Sequence, residues 1–234
     1  MTKFTSYTAS PDRPSIHSFK LRGARMTLAQ ERAMESFWPT FGINPDTPIN
    51  PRQSFPGAEQ VIMEIGTGMG ESTALIARDH PQNGYFGVEL HRPGLGALLA
   101  RINELGLTNL KLVEEDARVL LAKYTPDHSL DAIHLYFPDP WPKKKHNKRR
   151  IVQPDLLPIL AQKLVPGGYI HIATDWLPYA EWIAEVFSGS TLFTGGVIER
   201  PDFRPITKFE GQGLRKGHVV TDMKYYTAVE KEMQ

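Results

Sequence analysis

The chain reads as an α/β domain, a mainly parallel sheet with helices on both faces. Two observations predict this. From Gln60 onward, short runs of branched and aromatic residues alternate with longer amphipathic segments, the pattern of strands joined by crossover helices. With 234 residues, 41% hydrophobic and 23% charged, the chain is also long enough to bury a full core.

Residues Met1 to Pro14 are polar with two prolines and read as a tail. Ser18 to Trp38 mixes Arg22, Arg25, Gln30, Glu31 and Arg32 with Leu21, Met26, Leu28, Met34 and Phe37, as expected of a basic arm leading into a short helix. Prolines and glycines between Pro39 and Pro56 predict a connector with little regular structure. Residues 1–56 are thus read as tail, arm and connector, and 57–234 as a single domain.

Strands are expected at Val61 to Ile65, Tyr85 to Val88, Leu110 to Val113, Ala132 to Phe137 and Gly168 to Thr174. Helices are expected at Glu71 to Arg78, Pro93 to Leu105, Ala117 to Tyr124, Gln153 to Leu164 and Leu177 to Phe187, the second with a proline near its start. Two further strands are placed near Gly196 to Ile198 and Val219 to Val229.

The chain has no cysteine and its histidines are scattered, so neither a disulfide nor a metal centre is expected. The start lacks an apolar stretch of signal-peptide length and no later run is long enough to span a membrane, which predicts a cytoplasmic protein. The net charge of +1 hides an asymmetry. Six Lys or Arg fall within Lys143 to Arg150, and without them 21 basic residues face 26 acidic ones, a remainder of −5. A polyanion would be met on one face. A solvated loop can look the same, and what sets this run apart is its neighbour, Asp139, held between Pro138 and Pro140 at a strand end beside Trp141.

In doubly wound sheets ligands bind beyond the carboxyl ends of the strands. The first strand ends Glu64-Ile65-Gly66-Thr67-Gly68-Met69-Gly70 and enters a helix, so Gly66, Gly68 and Gly70 allow close approach of a ligand. The GxGxG spacing departs from the dinucleotide pattern GxGxxG and favours a nucleoside without a pyrophosphate. Glu89 ends the second strand, about 20 residues on, where a carboxylate can accept ribose hydroxyls. Asp116 follows the third and can meet an adenine amino group or cap the next helix. Glu64 can take the ammonium of an amino-acid tail.

These strand-end residues resemble those of Rossmann-like S-adenosylmethionine-dependent methyltransferases. Phe137 to Arg150 (FPDPWPKKKHNKRR), Thr174 to Trp176 (TDW) and Thr207 to Glu210 (TKFE) resemble the signature of the bacterial tRNA (guanine-N7-)-methyltransferases, and the similarity runs from Arg25 in RMT to near the C-terminus. The resemblance implies S-adenosylmethionine as cofactor, tRNA as partner, a guanine in the variable loop as target, and Asp139 as the catalytic residue at the cofactor. Thr207, Lys208, Phe209 and Glu210 of the TKFE segment are read as substrate contacts, and position and chemical type add Lys143 and Asp175. The family commonly carries an Arg two residues after TKFE, where this chain has Gln212, and Arg215 or Lys216 are candidates to compensate.

Guanine N7 has a free lone pair, so methyl transfer needs no general base. Catalysis then rests on positioning and on stabilising positive charge moving into the purine, the role expected of Asp139. Lys143 can donate to guanine O6 and Asp175 can accept from N1 and N2. Lys145, His146, Asn147, Lys148, Arg149 and Arg150 are expected to grip the RNA backbone, with Thr207 to Glu210 on the opposite lip. Trp141 either stacks on the base or packs beneath the loop. A methyltransferase for another RNA or a small molecule, a catalytically silent RNA-binding scaffold and a dinucleotide oxidoreductase are the alternatives. A monomer or a homodimer fits the sequence equally.

Overall fold

The computed structural model describes Ser18, residues 25–215 and residues 217–228. The expected tail over residues 1–14, Leu21 and Arg22 of the arm, Lys216 and the last residue of the strand placed at Val219 to Val229 lie outside them.

Helix α1, Leu28–Phe41, begins at Thr27, whose hydroxyl accepts from the Gln30 amide while the Gln30 side chain accepts from the Thr27 amide. It runs past its expected end at Trp38, through Pro39. The carbonyl that Pro39 leaves without an amide belongs to exposed Glu35, where water can serve it. The expected irregular connector instead holds a short strand β1, Gly42–Ile43, and a single turn α2, Pro51–Ser54, capped by Asn50.

Then follow β2 (Val61–Ile65), α3 (Glu71–Asp79), β3 (Gly84–Val88), α4 (Arg92–Leu105), β4 (Leu110–Val113) and α5 (Ala117–Val119), which continues as a π-helical turn to Tyr124. After β5 (Leu130–Tyr136) a 3-10 segment spans Lys144–Arg149, and α6 (Leu156–Lys163), β6 (Leu164–Thr174) and α7 (Leu177–Ser188) come next. The chain closes with β7 (Phe193–Ile198), α8 (Lys208–Arg215) and β8 (Thr221–Thr227). Helix α8 was not expected, because Gly211 and Gly213 lower its propensity. Its signal is the TKFE segment itself, for the Thr207 hydroxyl accepts from the Glu210 amide as in a helix N-cap.

The eight strands lie in the order β1-β4-β3-β2-β5-β6-β8-β7. All pairs are parallel except those of β8, which runs antiparallel to both β6 and β7. The order reverses between β2 and β5, and the crevice outside their carboxyl ends is where a ligand belongs. Strand alternation sends Val61, Met63, Ile65, Ile133 and Leu135 to one face with Leu160 and Ile183 of α6 and α7. Ile62 and Ala132 face the other way, into a core with Met34, Ile76 and Leu98 of α1, α3 and α4. Helix α1 and strand β1 thus pack on the same sheet that follows residue 57.

Candidate active site at the switch point

A cleft of about 310 Å³ opens at the reversal point, and Gly66, Gly68, Glu89 and Asp139 all line it. At Gly66 and Gly68, with φ of +76° and +55°, a Cβ would meet nothing within 4 Å and would project into open space. The left-handed backbone and the open space together leave a cradle that a ligand can fill. Gly70 has a different reason, for its Cβ would stand 2.6 Å from Leu98, so this glycine lets α3 and α4 pack.

Glu89 holds the cradle in shape. One carboxylate oxygen accepts from the Gly68 amide at 2.8 Å, and the other accepts from Leu90 and His91 at 2.8 and 2.9 Å. A carboxylate offers about four acceptor sites, so room remains for a ribose hydroxyl. Asp116 caps α5, its Oδ1 accepting from Arg118 and Val119, and it does not line the cleft. Its neighbours Glu115 and Ala117 do. Reading the third strand end picked out the capping acid, and Glu115 beside it carried no distinguishing signal in an acidic triplet.

Glu64 lies one residue beneath the cleft floor, is 3% exposed and faces the side of the sheet that carries Ile62. Burial pushes its carboxyl up from the ordinary 4.5 to about 7, with the Thr73 hydroxyl opposing the shift.

Asp139 stands exposed at the end of β5 on a constrained loop. Phe137 and Trp141, two residues before and after it, sit at positive φ, +50° and +44°. Each conformation costs about 1–2 kcal/mol and persists only where surroundings enforce it. Here the Phe137 amide donates to the Ala173 carbonyl at 2.8 Å, and Arg150 Nε donates to the Pro140 carbonyl at 2.9 Å. Trp141 is buried, donates from its indole to the Ser18 carbonyl at 3.0 Å and lies under the Arg149 guanidinium. The packed alternative for Trp141 is therefore the observed one.

The basic run divides in two. Lys143, Lys144, Lys145 and Lys148 are exposed, and His146, Asn147 and Arg149 are half-buried. Arg150 departs from the expected RNA contact: it is 4% exposed, with its guanidinium 4.9 Å from the Tyr179 ring centre, and it braces the loop from below. The opposite lip also differs from expectation. Thr207 caps α8, and Lys208 and Phe209 form its first turn. Glu210 is 3% exposed with both oxygens bound to Arg204, so its carboxylate is withdrawn from any RNA. Asp175 stands half-buried after β6, where Oδ2 meets His218 Nδ1 at 3.0 Å. His218 carries no signal of this partnership in the sequence, because it reaches Asp175 only through the fold that follows α8.

Among the described residues, no group of three or more His, Asp or Glu is arranged to hold a metal, and no helix is long and apolar enough to cross a membrane.

Residues 58–223 match a family model described as "Putative methyltransferase". A tRNA (guanine-N(7)-)-methyltransferase of Nitrosospira multiformis is 47% identical over 92% of this chain and 95% of its own length. One from Chromobacterium violaceum is 47% identical over 89% and 94%, and one from Streptomyces avermitilis 45% over 89% and 74%. Of solved structures, the 16S rRNA methyltransferase KamB superposes with a TM-score of 0.56 at 16% identity, covering 76% of this chain and 92% of its own, which shows the shared fold.

Proposed function

Because the chain belongs to the tRNA (guanine-N(7)-)-methyltransferase family, we propose that it moves the methyl group of S-adenosylmethionine to N7 of a guanine in tRNA, in the variable loop. The observation that carries the reading is the convergence of the glycine cradle, Glu89 and Asp139 on one cleft, with the exposed lysines of residues 143–148 beside it. No observation favours a silent scaffold. A tRNA substrate fits a cytoplasmic protein.

Gly66 and Gly68 would admit the cofactor, Glu89 would accept from its ribose, Glu115 and Ala117 would border its base, and Glu64 beneath the floor would answer its ammonium. When bound, the cofactor supplies a methyl group on a positively charged sulfur. Guanine N7 attacks with a lone pair already free, so no residue has to remove a proton first. What the protein supplies is geometry and charge. Aimed directly at N7 and O6, Asp139 would meet two acceptors and be repelled, so its carboxylate acts on the electropositive edge of the purine as charge arrives there. The braced loop keeps it from relaxing away. Lys143 donates to O6, and Asp175, with one oxygen engaged by His218, presents the other to N1 and N2. Lys144, Lys145 and Lys148 meet phosphates, which position the RNA and specify little.

The experiment is transfer of labelled methyl from S-adenosylmethionine to unmodified tRNA, with mapping of chain cleavage specific to 7-methylguanosine. Label at a single variable-loop guanine, lost in Asp139→Ala while cofactor still binds, is the expected result. No transfer, despite binding of both cofactor and tRNA, would overturn the reading.

A further inference from the structure

Arg204 is 1% exposed and belongs to none of the motifs that carry the family resemblance, yet it joins three parts of the site. Its Nε and Nη2 donate to the two oxygens of Asp222 on β8, at 2.7 and 2.8 Å. Nη1 and Nη2 donate to the two oxygens of Glu210 on α8, at 2.8 and 3.0 Å. Its guanidinium carbon also lies 5.7 Å from the ring centre of Phe137, two residues before Asp139, and 5.9 Å from that of Tyr136. The pairing continues inward, since Asp222 Oδ1 accepts from His171 Nε2 at 2.7 Å, leaving His171 Nδ1 to accept from the Tyr136 hydroxyl at 3.0 Å.

Helix α8 needs such a tie. It spans residues Lys208–Arg215, includes two glycines, and is too short to hold its shape alone. Only a planar fork can serve two carboxylates bidentately, so a lysine could not replace this arginine. Resting on the reading that the α8 lip faces RNA, we propose that Arg204 is a positioning residue that locks α8 to the strand end bearing Asp139. Glu210 then acts through Arg204 and does not touch the RNA itself. The glycine turn and Glu89 of the cofactor cradle stand on β2 and β3, and the four hydrogen bonds of Arg204 go to Asp222 and Glu210, not to them.

The test measures KM for tRNA, kcat, cofactor affinity and amide exchange in Arg204→Lys, Glu210→Ala, Arg204→Met and the double variant Arg204→Met/Glu210→Met. For Arg204→Lys and Glu210→Ala the expected result is KM raised about 10-fold, with kcat within about 3-fold and cofactor affinity within about 2-fold of wild type. Exchange should quicken at residues 208–215 and not at β2 or β3. Arg204→Met strands two buried carboxylates and can fail to fold, in which case Glu210→Ala decides, because it frees α8 while Arg204 keeps Asp222. Where both fold, the double variant should match Arg204→Met within about 2-fold in KM, as expected of two groups acting as one. The proposal is overturned by an unchanged KM in Arg204→Lys, by cofactor affinity falling together with RNA affinity, or by losses that multiply in the double variant. A wild-type protein that moves no methyl to tRNA would sink the functional reading instead, and the exchange pattern would still decide whether the lock exists.

Discussion

Glu64 should make the free protein less stable as pH rises, and Glu64→Gln should remove that loss. Folding raises this carboxyl from 4.5 to about 7, so the folded chain holds a proton that the unfolded chain has released. The sign follows from linkage: stability is unaffected below about pH 4.5, falls by about 1.4 kcal/mol per pH unit up to about 7, and is level above that. Glu64 is buried, so little screening discounts the effect, and the full loss is about 3 kcal/mol. Gln matches the protonated acid in shape and cannot ionise. Urea unfolding of both proteins at pH 5 and pH 8, without cofactor, reads the difference directly. The variant should gain little at pH 5 and about 3 kcal/mol at pH 8, and the proposed ammonium contact predicts that it binds S-adenosylmethionine more weakly. A stability difference that is the same at both pH values would refute the reasoning.

Asp139→Asn should lower kcat about 100-fold or more while leaving cofactor affinity near wild type, since the carboxylate acts on charge that appears only during transfer; single-turnover methylation checks it. Gly68→Ala and Gly70→Ala should separate, as calorimetric cofactor titration and thermal melts will show. Both carry the cost of a side chain at positive φ, about 1–2 kcal/mol. Beyond it, the first places a methyl in open cleft and weakens cofactor binding, while the second drives it against Leu98 and costs about 1–3 kcal/mol more. Replacing Lys145 and Lys148 together by Ala should flatten the dependence of log tRNA affinity on log salt by about 1.5. Arg150→Ala should leave that slope unchanged, yet lower both turnover and melting temperature, because it supports the Asp139 loop from inside.

The strand and helix alternation from Val61 to Phe187 was legible because α3, α4, α6 and α7 are long enough to show their period and the apolar strands between them stand out. Where elements are short, periodicity carries no signal: β1 exists only because β4 offers it an edge, and α8 is helical because Thr207 caps it and Arg204 anchors it. Composition singled out the run from Lys143 to Arg150 but could not show that its last arginine turns inward.

Local pattern and spacing determined by themselves the sheet with its helices, the glycine turn, Glu89 at the second strand end and Asp139 after β5. These depend on neighbours within a few residues, and the order of strands then brings their ends together. Tertiary structure alone decided which polar residues face the cleft and which are consumed in building it. Asp116 gives one carboxylate oxygen to a helix cap, Arg150 turns its guanidinium to a loop carbonyl and Glu210 gives both oxygens to Arg204. A buried polar group must find a partner, and that partner can come from anywhere in the chain, so its identity is settled only when the chain has folded.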